Sequence, residues 1–153
     1  MCGAARGFGL IVVRGLTGGH TLRRVVERPD NTDDDVALVL RSALAGDRDG
    51  VVDTFDEVVH RKGVGGAYDV AWELAAATVG GGLARGPWRL EFPGIEEAAY
   101  DTRWVARFLS AYANADSSTG AALFGAAIAD GKLPQCLLTL VGSAIATLRR
   151  RAS

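Results

Sequence analysis

Cysteine, histidine and lysine occur twice each in this sequence, and each scarcity excludes a class of function. Cys2 and Cys136 are too few for a disulfide framework or a zinc site. Cys136 lies in the apolar run Cys136-Leu137-Leu138 and reads as a small buried hydrophobe. His20 and His60 argue against a multi-histidine metal centre. Neither a metal nor a cofactor is expected from this set. An excess of charge is missing too. Seventeen basic residues face 18 acidic ones, a net charge of −1, so no overall field attracts nucleic acid or an anionic membrane. No apolar run approaches the ~18 residues that cross a bilayer. The run from Phe8 to Val13 is cut by Arg14 and makes a poor signal peptide. The expectation is a cytoplasmic protein that binds neither nucleic acid nor membrane.

Aromatic residues are scarce at 7%. Alanine and glycine fill their place, which favours helices that approach closely over a bulky core. At 153 residues, with 48% hydrophobic and 23% charged, the chain fits one domain that buries roughly two-thirds of its unfolded surface.

What the chain does have is an internal echo at an offset of 69 residues. Val36, Ala37, Leu40, Asp47, Phe55, Ala75 and Thr78 recur as Val105, Ala106, Leu109, Asp116, Phe124, Ala144 and Thr147. Both copies carry helical spacing, as expected of stacked helices sharing one apolar interior. The fold expected is all-α, six helices arranged as two related three-helix units, about 32–80 and 95–151, joined by a linker over 81–94. Residues 1–31, rich in glycine and arginine and ending in the turn signal Arg28-Pro29-Asp30-Asn31, read as a loosely ordered arm.

Within 32–153 the punctuation is clear. Thr32 or Asp33 caps a first helix with Asp33, Asp34 and Asp35 at its positive end, and Val36, Val39, Leu40 and Leu44 form its stripe. Gly46 to Asp49 make the turn into a second helix with Phe55, Val58 and Val59 inward, ending near Gly63. A third helix, opened by Gly65-Gly66, carries Tyr68, Trp72 and Ala75 and stops at Gly80-Gly81-Gly82. The fourth is expected from about Ile95 to Asn114. The fifth opens at Asp116 or Ser117, packs Leu123, Phe124, Ala127 and Ile128, and ends at Gly131. Pro134 suits the first turn of the sixth, which ends in Arg149, Arg150 and Arg151.

The stretch Gly46-Asp47, Val51-Val52, Phe55 and Val58-Val59, and its counterpart Asp116, Gly120-Ala121, Phe124 and Ala127-Ile128, resemble the second-helix spacing of tetratricopeptide-type hairpins. Trp104 stands where that family places its first-helix tryptophan, while Val39 and Phe108 occupy its glycine position and a third helix follows each pair. The resemblance covers about a third of the chain. It implies helical-hairpin stacking and, by analogy, binding of a protein or peptide.

Several constellations bear on chemistry. Asp47-Arg48-Asp49-Gly50 opens like a calcium loop, but Val51, Val52 and Val58 stand where further ligands and the glycine are needed. His60 follows Asp56 and Asp53 along one helical face, a solvated acidic face in the simplest reading. The terminal arginines complement a helix dipole. The densest mixture of aromatic and charged groups lies at the seam between the two units. There Trp88, Arg89, Glu96, Glu97, Tyr100, Asp101 and Arg103 form the candidate binding set, with tryptophan and arginine as anchors. Glu97 and Asp101, at i and i+4, are expected side by side with Glu96 nearby. The leading reading is a non-enzymatic helical interaction module for a protein or peptide partner. The alternative is a small helical enzyme or metal-binding protein using Glu96, Glu97 and Asp101. In a third account Trp88 and Phe92 merely plug the seam. A second copy of the chain, as a homo-oligomer, is one candidate partner.

Overall fold

A computed structural model describes residues 31–80 and 90–152, and the expected arm over 1–31 lies outside these apart from Asn31. The described residues are helical, with no strand among them: α1 (Thr32–Leu44), α2 (Arg48–Lys62), α3 (Val64–Val79), α4 (Tyr100–Ala113), α5 (Ser117–Ala129) and α6 (Leu133–Ala152), with a 3-10 turn at Ile95–Glu97. The all-α expectation holds. No helix among the described residues is long and apolar enough to cross a membrane.

The helix starts are set by local chemistry. Asp47 accepts a hydrogen bond from the amide of Gly50 at 2.9 Å, and Asp116 one from the amide of Thr119 at 3.1 Å. Each satisfies a donor left open at a helix N-terminus. The turns before these caps both need left-handed backbone, supplied by Gly46 (φ 76°) and, less comfortably, by Ala115 (φ 55°). Caps and turns thus fall 69 residues apart, as do the starts of α2 and α5 and of α3 and α6.

Packing is organised around α3 and α6, which lie along one another. Ala67, Ala71 and Ala75 of α3 and Cys136, Leu140 and Ala144 of α6 are all fully buried. Small side chains spaced four apart leave no ridge on that face of α3, so a second helix can come close. α1 packs on α2, α3 and α6, while α4 packs on α5, α6 and α3. Phe55 and Phe124, at matching places in the echo, are both buried. Cys136 is buried as expected, and burial, helped by the charge of Asp101, pushes its thiol up to about 11.

Three stripe residues depart from expectation. Leu44 is 51% exposed, Ile128 44% and Val59 39%. Each lies on the helical face the pattern marks as inward, but its neighbours do not extend far enough to cover it. Asp35 departs the other way. It is buried in the first turn of α1, 2.7 Å from Arg61 and 3.3 Å from Lys62 at the end of α2. It therefore pins two helices together as well as favouring its own dipole.

The largest correction concerns α4. It begins at Tyr100, not near Ile95, because Ala98 (ψ 159°) and Ala99 (ψ 165°) are extended and separate it from the 3-10 turn. The interruption lets Phe92 pack against the core before the chain turns into α4.

Candidate functional site

Of the seven residues expected to form a site, Trp88 and Arg89 lie outside the described residues. The other five separate into two groups. Tyr100 and Asp101 tie α4 to its neighbours. The Tyr100 hydroxyl donates to Asp130 at 2.6 Å, and that carboxylate holds the phenol above its ordinary value. Asp101 accepts a hydrogen bond from the Thr139 hydroxyl on α6. Glu96 and Glu97 stand exposed on the 3-10 turn. With extended backbone between them, Glu97 and Asp101 are not helical neighbours, which corrects the expected side-by-side pair. Among the described residues no group of three or more His, Cys, Asp or Glu is placed to hold a metal ion.

Glu96 and Arg103 do come together, on the walls of an open groove of about 430 Å³. The groove runs between the 3-10 turn, α4 and α5. Its apolar lining includes Phe92, Ile95 and Leu123; Ala106, Ser110 and Ala111 of α4 add small side chains. Arg103 and Arg107 stand one helical turn apart along it, both exposed. Asp116 lies at the end nearest the α4–α5 turn, where its carboxylate is already engaged by the Thr119 amide and, at 2.6 Å, the Thr119 hydroxyl. These two donors hold Asp116 below the usual carboxylate range.

The aromatic residues of α3, α4 and α5 serve packing. Trp104 stacks on Phe108 at 4.7 Å, Tyr68 on Trp72 at 5.5 Å, and Trp72 meets Phe108 and Tyr112 edge-on. The indole N–H of Trp104 donates to the carbonyl of Leu123 at 2.8 Å, so its polar end is satisfied inside the protein. This cluster joins α3 to α4 and α5. Of the plug expected at Trp88 and Phe92, Trp88 lies outside the described residues and Phe92 packs against the core.

Sequence reasoning missed Arg107, Ser110 and Leu123. Arg103, Arg107 and Ser110 recur along the polar face of α4, so the stripe itself was readable. What stands across from it was not, because Leu123 and Phe92 come from other elements. The terminal arginines are partly used by the fold: Arg151 donates to the Ala77 carbonyl at 3.2 Å near the end of α3, and Arg150 to the Thr147 hydroxyl at 3.3 Å. Asp53, Asp56 and His60 are all exposed on α2. Comparison of the chain with protein-family models, with curated proteins and with solved structures finds no match.

Proposed function

We propose that this chain is a non-enzymatic helical interaction module and that the groove bounded by the 3-10 turn, α4 and α5 is its binding surface. The observation that carries the reading is the groove's make-up: an apolar floor from three elements, bordered by the exposed charged groups Glu96, Arg103 and Arg107. An apolar centre with a charged rim is the anatomy of a surface that takes a protein segment. The groove is open to solvent, as a passing peptide requires, whereas small-molecule sites bury most of their ligand. The resemblance to helical hairpins that bind peptides points the same way.

The test is to fill the groove. Ser110 is half-buried on α4 and its side chain lines the groove. Peptides selected from a random library on the immobilised full chain are expected to lose binding to a Ser110→Trp variant whose helical circular dichroism and melting are unchanged. Recovery of no binding peptide, or equal binding to Ser110→Trp, overturns the reading.

A further inference from the structure

Arg103 and Arg107 pose a question of charge. Both are exposed and line the groove together with Glu96, and the charge of Arg107 also acts on the Tyr100 phenol. Elsewhere guanidinium groups are put to use within the fold: Arg61 holds Asp35, and Arg151 reaches a carbonyl at the end of α3. Helix packing does not require arginine at 103 and 107 either. Counting back 69 residues, Val105 and Leu109 correspond to Val36 and Leu40, the same residues, whereas Arg103 corresponds to Asp34 and Arg107 to Leu38.

From this we infer that the groove receives an acidic amphipathic peptide, one carrying two carboxylates a helical turn apart with aliphatic side chains on the same face. The inference rests on the interaction reading above and names the partner's chemistry. Side chains at i and i+4 of a helix start about 5–6 Å apart, so two carboxylates with that spacing match Arg103 and Arg107 one to one. Each guanidinium offers a planar fork that fits a carboxylate through two parallel hydrogen bonds. Leucine-like side chains beside them would cover Phe92, Ile95 and Leu123, while Ala106, Ser110 and Ala111 leave room for a second backbone near α4. A nucleic-acid strand fits poorly. Its phosphates would continue past the two arginines towards Glu96 and Asp116, which lie on the same groove, and the chain's net charge of −1 offers no compensating field.

The experiment is a fluorescence-anisotropy titration of the full chain with a labelled peptide carrying two glutamates one turn apart and leucines on that face. Three comparison probes are used: the same peptide with lysine for glutamate, one with serine for leucine, and a single-stranded oligonucleotide. The acidic leucine peptide is expected to bind best. The double variant Arg103→Glu, Arg107→Glu, with its melting unchanged, is expected to weaken that binding by about tenfold or more and to improve binding of the lysine peptide. That tenfold corresponds to about 1.4 kcal/mol. Raising the salt concentration should weaken the acidic peptide as well. Three results overturn the inference: no binding of the acidic peptide, equal binding of acidic and lysine peptides, or an oligonucleotide preferred over the peptide and lost in the double variant. Peptides that still bind the wild-type groove and are lost in Ser110→Trp, but are indifferent to Arg103→Glu, Arg107→Glu, would sink the acidic partner alone and leave the interaction module standing.

Discussion

At Gly120 of α5 an added Cβ would lie 2.6 Å from Cζ3 of Trp72 and 2.8 Å from the Tyr68 hydroxyl, both on α3. The Trp72 indole is stacked on Tyr68 and held edge-on by Phe108 and Tyr112, which restricts its freedom to yield. At Gly125, on the same helix, an added Cβ would meet nothing within 4 Å. These two positions separate helix propensity from packing. Alanine gains about 1 kcal/mol over glycine in a helix interior, while forcing an extra methyl into a filled contact costs about 1–3 kcal/mol. Gly125→Ala is therefore expected to stabilise the protein by about 0.5–1 kcal/mol. Gly120→Ala is expected to destabilise it by up to about 2 kcal/mol, the clash exceeding the propensity gain. Urea unfolding of both variants checks this, and a shift of the same sign in both would show that α3 and α5 are not in such close contact. Nothing in the sequence distinguished the two glycines. Both lie on one helix, and the difference comes from a tryptophan 48 positions away in sequence.

At the scale of the element, the start of α5 makes stability depend on pH. Asp116 is held below the usual carboxylate range by its two bonds from Thr119. A carboxyl group whose value is lowered by folding stabilises the native state above its unfolded value of about 4. That contribution is lost as pH falls through the lower, folded value. Asp116→Asn keeps an oxygen that can accept from the Thr119 amide but no longer titrates. The melting temperature of the wild-type protein should therefore fall more steeply on acidification below about pH 4 than that of the variant. Parallel acid limbs would mean that the cap does not contribute through its charge. The cap was readable from the sequence, because aspartate before a helical run has one principal use. The start of α4 was not. Glu96, Glu97, Ala98 and Ala99 are acceptable in a helix, and local propensity ran the pattern back to Ile95. The observed chain leaves the helical region at Ala98 and Ala99, where Phe92 and the turn around it pack on the core. The expected Glu97–Asp101 pair failed with that boundary.

At the scale of residues 32–152, each third helix packs on helices of both halves. α1 of the first half lies against α6, and α4 of the second against α3, while α3 and α6 face each other. The aromatic cluster adds to this, with Tyr68 and Trp72 from one half and Phe108, Tyr112 and Phe124 from the other. Either half alone would expose fully buried residues such as Leu74 and Leu140, and burying a leucine side chain contributes about 1.5–3 kcal/mol. Fragments 32–80 and 90–152 are expected to lack a cooperative thermal transition in isolation. The whole protein should instead unfold in one step, with far-ultraviolet circular dichroism and tryptophan fluorescence coinciding. A fragment that melts cooperatively by itself would show that the two sets of helices are separate folding units.

Among the described residues, the sequence by itself determined the helical class, the number of helices, most of their ends and the buried state of Phe55, Phe124 and Cys136. Those properties follow from spacing and capping, which act over a few residues. Tertiary structure alone decided that Leu44, Val59 and Ile128 stay exposed and that Asp35 is buried between two cations. It also placed Tyr100 and Asp101 in packing, and Glu96 and Arg103 on a groove with Arg107. The physical reason is the same in each case. A helical pattern fixes which side of a helix a residue faces, whereas burial, pairing and site membership depend on what another element places opposite it.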